Sequence, residues 1–102
     1  MNYQIENFSF ENYLIKDHAA MRMIYRNIKR EELEELLRGS EVIENYPLDF
    51  PFPSKLIFKI INNRPLHAVV AFSEPDKIGI IVTLYEPDLM HFEPDFKTRR
   101  KI

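Results

Sequence analysis

The hydrophobic period of the chain changes once, after Gly39, and the change separates a helical part from a strand part. Over residues 17–26 the apolar positions Met21, Ile24 and Tyr25, continued by Ile28, recur at spacings of three and four, which places them on one stripe of an α-helix. Asp17 is the expected N-cap, with Ser9 as the alternative that would lengthen the helix, and Asn27 suits the left-handed residue that ends one. A second helix is predicted over 30–38, with Leu33, Leu36 and Leu37 inward and Gly39 as its stop. Its acids lie early and Arg38 late, as the helix dipole prefers. Beyond Gly39 the period is two, and strands are predicted over 41–46, 55–61, 66–73 and 78–86. The connections 62–65 and 74–77 are too short for a parallel crossover, so the sheet is expected to be mainly antiparallel. Residues 47–54, with Pro47, Pro51 and Pro53, make a stiff loop between the first two strands. Tyr3, Ile5, Phe8 and Phe10 belong to an opening segment, 1–15, that reads either as a short strand or as an aromatic arm lying on the core. At the other end Phe92 and Phe96 are anchors, and 97–102 reads as a flexible basic tail.

The expected fold is therefore α+β: a single domain over 1–102 in which two N-terminal helices pack on one face of a mainly antiparallel four-stranded sheet. Alternation puts His67, Val69 and Ala71 on one face of their strand and Leu66, Ala68, Val70 and Phe72 on the other. With the first hairpin turning on Asn63-Arg64, His67 falls opposite Ile60, on the face that also holds Leu56 and Phe58. Lys55 and Lys59 occupy the opposite face, and this asymmetry predicts that the helices cover the side bearing His67. His67 then lies across from Thr83 or Tyr85 if the next turn leaves an odd number of residues unpaired. A four-residue loop would break that pairing.

Composition narrows the chemistry. A chain of 102 residues is one ordinary domain, able to bury roughly two thirds of its unfolded surface. The absence of cysteine excludes disulfides, thiolate metal sites and a cysteine nucleophile. The longest apolar runs are strand-sized and the N-terminus lacks the pattern of a signal peptide, so a cytoplasmic protein without membrane contact is expected. A formal charge of -2 argues against indiscriminate binding to nucleic acid; no DNA partner is expected, and any RNA contact must be local. His18, His67 and His91 show no zinc spacing, so no metal is expected. Gly39 and Gly79, the only glycines, build no phosphate-cradling loop, and no cofactor is expected. Ser40, Ser54 and Ser73 lack the glycine-flanked elbow of a serine nucleophile.

What remains is a set of polar residues next to apolar ones. His18, Arg22 and Arg26 share one flank of the first helix, bordering its buried stripe, and a helix N-terminus at Asp17 would attract anions such as phosphate. The plainer reading pairs the arginines with the acid-rich second helix and packs His18. His67 is a polar ring in an apolar strand and needs hydrogen-bond partners, which Tyr85, Thr83 or an arginine could supply; Thr83 and Tyr85 also serve simply as good strand residues. Together the set has the parts for cleaving an RNA strand through its own 2′-hydroxyl: His18, His67 and Tyr85 as candidate proton-transfer groups, and Arg22, Arg26 and Thr83 as candidate substrate-binding groups.

The segment His18-Ala19 with Arg22-Met23, Arg26 and Ile28, then Pro65-Leu66-His67, then Thr83 and Tyr85 followed by Pro87-Asp88, resembles the bacterial family catalogued as domain of unknown function 4258, over about residues 13–97. Asn27 stands where such sequences commonly have a helix-ending glycine, and Lys16 and Lys29 stand near positions usually held by capping Ser or Thr. The resemblance implies kinship with the RelE-like toxin superfamily, whose helices pack on an antiparallel sheet. It also implies an RNA-cleaving enzyme encoded beside a small antitoxin partner, with the recurring polar positions at His18, Arg22, Arg26, His67, Thr83 and Tyr85. The rival expectation is a non-catalytic protein-binding module on the same scaffold, which the acidic charge balance favours.

Overall fold

The computed structural model describes residues 2–101; Met1 and Ile102, the outer ends of the opening segment and of the basic tail, lie outside the described residues. In chain order the elements are β1 (Tyr3–Ile5), β2 (Phe8–Phe10), β3 (Asn12–Ile15), α1 (Asp17–Arg26), α2 (Arg30–Arg38), β4 (Glu41–Tyr46), β5 (Ser54–Ile61), β6 (Arg64–Ser73) and β7 (Ile78–Tyr85). Both helices and the last four strands fall where the hydrophobic period puts them. Lys16, not Asp17, is the N-cap of α1 and makes no side-chain cap. Asn27 does take the left-handed conformation, at φ 52° and ψ 49°, and the following amide of Ile28 closes on the carbonyl of Met23 at 2.9 Å.

The architecture departs from two N-terminal helices on a four-stranded antiparallel sheet. The sheet has five strands in the order β3-β7-β6-β5-β4 and is mixed, because β3 runs parallel to β7. The helices come mid-chain, after three short strands. Loop length excludes parallel pairing only between strands adjacent in sequence; β3 and β7 are separated by both helices and three strands, ample for the return. A four-residue strand such as β3 has too little alternation to stand out, and its place is set by the unpaired edge of β7.

The opening residues β1 and β2 form a separate hairpin. It lies on the same face of the sheet as the helices, with Phe8 stacked on Phe72 at 5.1 Å between ring centroids. Gly79 makes room for it: a Cβ there would stand 2.5 Å from the Phe10 ring. Leu66, Ala68, Val70 and Phe72 of β6, with Ile57, Ile81 and Leu84, meet Ala19, Ile28, Leu33, Leu36, Leu37 and the hairpin aromatics in one core.

The helices therefore cover the face away from His67, the reverse of the expectation. The lysines that mark the opposite face lie on this covered side, Lys55 buried and Lys59 half-buried. Lys55 is buried and bonds Glu6 at 2.9 Å and Asn45 at 2.6 Å, with its ammonium 4.8 Å from the Phe8 ring centroid; Lys59 reaches Glu35 of α2 at 3.6 Å. Long aliphatic stems can line a core when their charged ends find partners. The inward side of α1 is also different: Ala19, Met23 and the following Ile28 face the core, while Met21, Ile24 and Tyr25 are exposed. Small Ala19 allows α1 to lie close on β7, and the N-terminal hairpin supplies the bulky apolar groups that the larger α1 residues were expected to provide.

Candidate functional site

The face of the sheet opposite the helices is built in cross-strand rows. The hairpin between β5 and β6 turns on Asn62-Asn63, both left-handed (φ 53° and 63°), so that Phe58 rather than Ile60 pairs with His67. The connection from β6 to β7 is four residues long, and near it Ala71 pairs with Ile80. A bulge that adds Val82 to β7 then shifts the register, bringing His67 opposite Tyr85 and Val69 opposite Thr83. Without the bulge the loop would have turned Tyr85 to the other face. Two rows result: Glu41, Phe58, His67 and Tyr85; and Glu44, Leu56, Val69 and Thr83.

His67 is 0 % exposed. Its Nε2 lies 2.6 Å from the carbonyl oxygen of Phe96, which can only accept, so Nε2 carries the proton. Nδ1 is then left to accept from the Tyr85 hydroxyl at 3.1 Å. Burial holds the imidazole below its ordinary pKa, against the Phe96 hydrogen bond, and the ring is neutral. Burial likewise raises the Tyr85 phenol. Phe92 packs edge-on against His67 at 4.6 Å between centroids.

The C-terminal residues bring the charge. Arg99 donates to both carboxylate oxygens of Glu44, at 2.7 and 3.2 Å, and lies over the Phe92 ring at 5.0 Å. The Tyr46 hydroxyl donates to the same carboxylate. Burial pushes the Glu44 pKa up, but the hydrogen bonds from Arg99 and Tyr46 outweigh it and hold the group below the ordinary carboxylate value. Arg99 remains 53 % exposed along its side chain, so it is anchored yet open to a ligand. Lys97 pairs with Glu41 at 3.0 Å and Arg100 with Glu93 at 3.1 Å. Phe92 and the Phe96 carbonyl thus roof His67, and Lys97, Arg99 and Arg100, which read as part of a flexible tail, are held in ion pairs.

Of the residues singled out from sequence, His67, Thr83 and Tyr85 share this open face, and His67 touches Tyr85. His18, Arg22 and Arg26 do not join them: among the described residues none of the three makes a side-chain hydrogen bond or ion pair, and the acids of α2 pair instead with Arg30, Arg38, Lys59 and Arg64. His18 lies by Lys16, Ile80 and Val82, at the edge of β7 where the open face begins. The groups missed are Glu44, Tyr46 and Arg99. Glu44 and Tyr46 are alternate positions of β4, a signal that their side chains share a face, but nothing local announces that Arg99 folds back onto them. Among the described residues no group of three or more His, Asp or Glu side chains is placed to hold a metal ion, and no helix is long and apolar enough to cross a membrane.

A family model described as a domain of unknown function (DUF4258) matches residues 15–86. No curated protein and no solved structure matches the chain.

Proposed function

Because the chain belongs to the DUF4258 family of domains of unknown function, whose description carries no activity, we propose from the open face itself that it is a RelE-like RNA-cleaving toxin component, held in check by a cognate antitoxin protein. The observation that carries this reading is the Tyr85–His67 pair beside the Glu44–Arg99 pair: a hydroxyl backed by a neutral, oriented imidazole next to an anchored, open guanidinium. Cleavage by the 2′-hydroxyl needs a proton acceptor for that hydroxyl and positive charge on the phosphate. Tyr85 accepts the 2′-hydroxyl proton while passing its own to Nδ1 of His67. The 2′-oxygen bonds to phosphorus, the 5′-oxygen leaves and takes a proton from water, and a cyclic phosphate results. Arg99, oriented by Glu44, faces the phosphate oxygens as charge builds there. His67, being buried, touches no substrate and is a positioning and proton-relay group.

Arg22 and Arg26 take a different part in this reading, as an outer cationic border along α1, with His18 beside them at the edge of β7. The exposed Met21, Ile24 and Tyr25 on the same helix favour a protein contact there, which fits an antitoxin and is also what a non-catalytic binding module would show. The test is induced expression of the chain alone. Growth arrest, with RNA cleavage by the purified protein and relief of both by Tyr85→Phe and Arg99→Ala in folded variants, is the expected result. Normal growth and intact RNA with the wild-type chain would leave the binding-module reading.

A further inference from the structure

The half of the open face left bare by the C-terminal segment holds a pocket of about 270 Å³. Its floor is Val69 and Ala71 of β6 with Ile80 and Val82 of β7, and its wall is the proline-braced loop carrying Phe50 and Phe52. Phe50 is 94 % exposed, although an aromatic side chain of this size ordinarily finds apolar cover. An aromatic ring with no ring partner among the described residues, standing beside an apolar floor, suits a flat ligand that slides between them. The rim is polar. Asp49 accepts from the Ser54 hydroxyl at 2.5 Å and has further lone pairs to offer. Lys16 makes no ion pair among the described residues and stands at the opening, with His18 just beyond it.

We infer that this pocket is a base subsite for single-stranded RNA. One unpaired nucleobase stacks on Phe50 above the apolar floor, its amino group donates to Asp49, and the adjoining phosphate faces Lys16. The inference rests on the cleavage reading given above and names where the nucleotide next to the scissile phosphate is held. The placement supports it: Val69 lies two residues from His67 on one strand, and Thr83 two from Tyr85 on the next, with side chains on the same face. Two residues of strand span about 7 Å, a step that neighbouring nucleotides of an extended strand bridge. Thr83, half-buried between the pocket and Tyr85, has a hydroxyl to offer the ribose or phosphate that crosses the step. Lys16 supplies the charge complementarity that a purely apolar side-chain pocket would not need.

The experiment uses the full chain carrying Tyr85→Phe, so that RNA is bound and not cut, with short RNAs that contain either the fluorescent base 2-aminopurine or an abasic ribose at one position. Quenching of the fluorescent base is expected, with affinity for the abasic strand weaker by roughly ten- to a hundredfold. Phe50→Ala should lose a similar factor, and Phe50→Leu, which keeps the bulk without the aromatic face, should lose nearly as much; Phe50 is exposed enough that neither change disturbs the core. Equal affinity for the base-containing and abasic strands would overturn the base subsite while leaving cleavage by the wild-type chain, and its dependence on Tyr85, intact. Loss of a protein complex in Phe50→Ala with RNA affinity unchanged would also overturn it and give the pocket to a partner's side chain. Absence of RNA binding together with absence of cleavage by the wild-type chain would overturn both readings.

Discussion

Replacing His67 tests whether this ring is the keystone between the sheet and the C-terminal segment. Truncation by His67→Ala empties a fully buried site lined by Phe58, Tyr85 and Phe92 and leaves the Phe96 carbonyl and the Tyr85 hydroxyl without their partner. Deleting a buried ring costs about 3–5 kcal/mol, a large share of the roughly 5–15 kcal/mol that holds a domain together. A fall in Tm of roughly 15 °C or more is expected. His67→Phe keeps the volume and removes only the polar contacts, so a smaller loss of about 1–3 kcal/mol is expected. The two proteins also differ in pH response. The folded wild-type chain keeps His67 neutral at a pKa below its ordinary 6.5, whereas the unfolded chain takes up a proton there near that value. The unfolded state therefore binds more protons just below pH 6.5, and the stability contributed by the neutral ring is full above that pH and lost as pH falls towards the folded pKa. The advantage of wild type over His67→Phe should shrink between pH 7.5 and 5.5 by at most about 1.4 kcal/mol per pH unit. Urea unfolding followed by circular dichroism at several pH values measures it, since His18 and His91 are common to both chains and cancel. Parallel stability curves, or an alanine variant within 1 kcal/mol of wild type, would refute the assignment of a buried, neutral, doubly bonded His67.

Three further outcomes follow from the packing. Gly79→Ala drives a Cβ into the Phe10 ring and should cost about 1–3 kcal/mol, with most of the loss recovered by adding Phe10→Leu; a double-mutant cycle without coupling would separate the two positions. Glu32 is buried and receives the Lys29 amide at 2.9 Å, Asn62 at 3.0 Å and Arg64 at 2.9 Å. Burial pushes its pKa up but these bonds hold it below 4.5, so Glu32→Ala should lower stability by about 3 kcal/mol at neutral pH. The part of that difference carried by the carboxylate's charge should be lost as pH falls through the folded pKa, so the gap should narrow between chemical denaturation at pH 7 and at pH 3. Lys55→Met replaces a stem that already lines the core and frees the exposed Glu6 to water, so a change within about 1 kcal/mol is expected. A loss above 3 kcal/mol on thermal denaturation would mean the ammonium, not the stem, holds that region.

Helix α2, with leucines at 33, 36 and 37, and strands β4 to β7 were legible in the amino-acid order because their periods of 3.6 and 2 are properties of the local backbone. Alternation also determined that His67 shares a face with Val69 and Ala71, and Asn27 marked the end of α1 by its tolerance of the left-handed conformation. Local period cannot say which face of a sheet is covered, because apolar residues occur on both faces of β5 and β6 and a lysine stem counts as polar whether its ammonium reaches water or Glu6. Nor can it choose between two apolar sides of a ten-residue helix, where Ala19 and Met23 compete with Met21, Ile24 and Tyr25. Tertiary structure decided these points by volume: once the N-terminal hairpin fills the helix-side layer, the small side of α1 is the one that fits. It also decided the candidate site. Tyr85 faces His67 only because Val82 is bulged out of register, and Glu44 meets Arg99 only because the chain end folds back across the sheet. Both are pairings between distant segments, governed by the fit of whole surfaces and written in no short stretch of the chain.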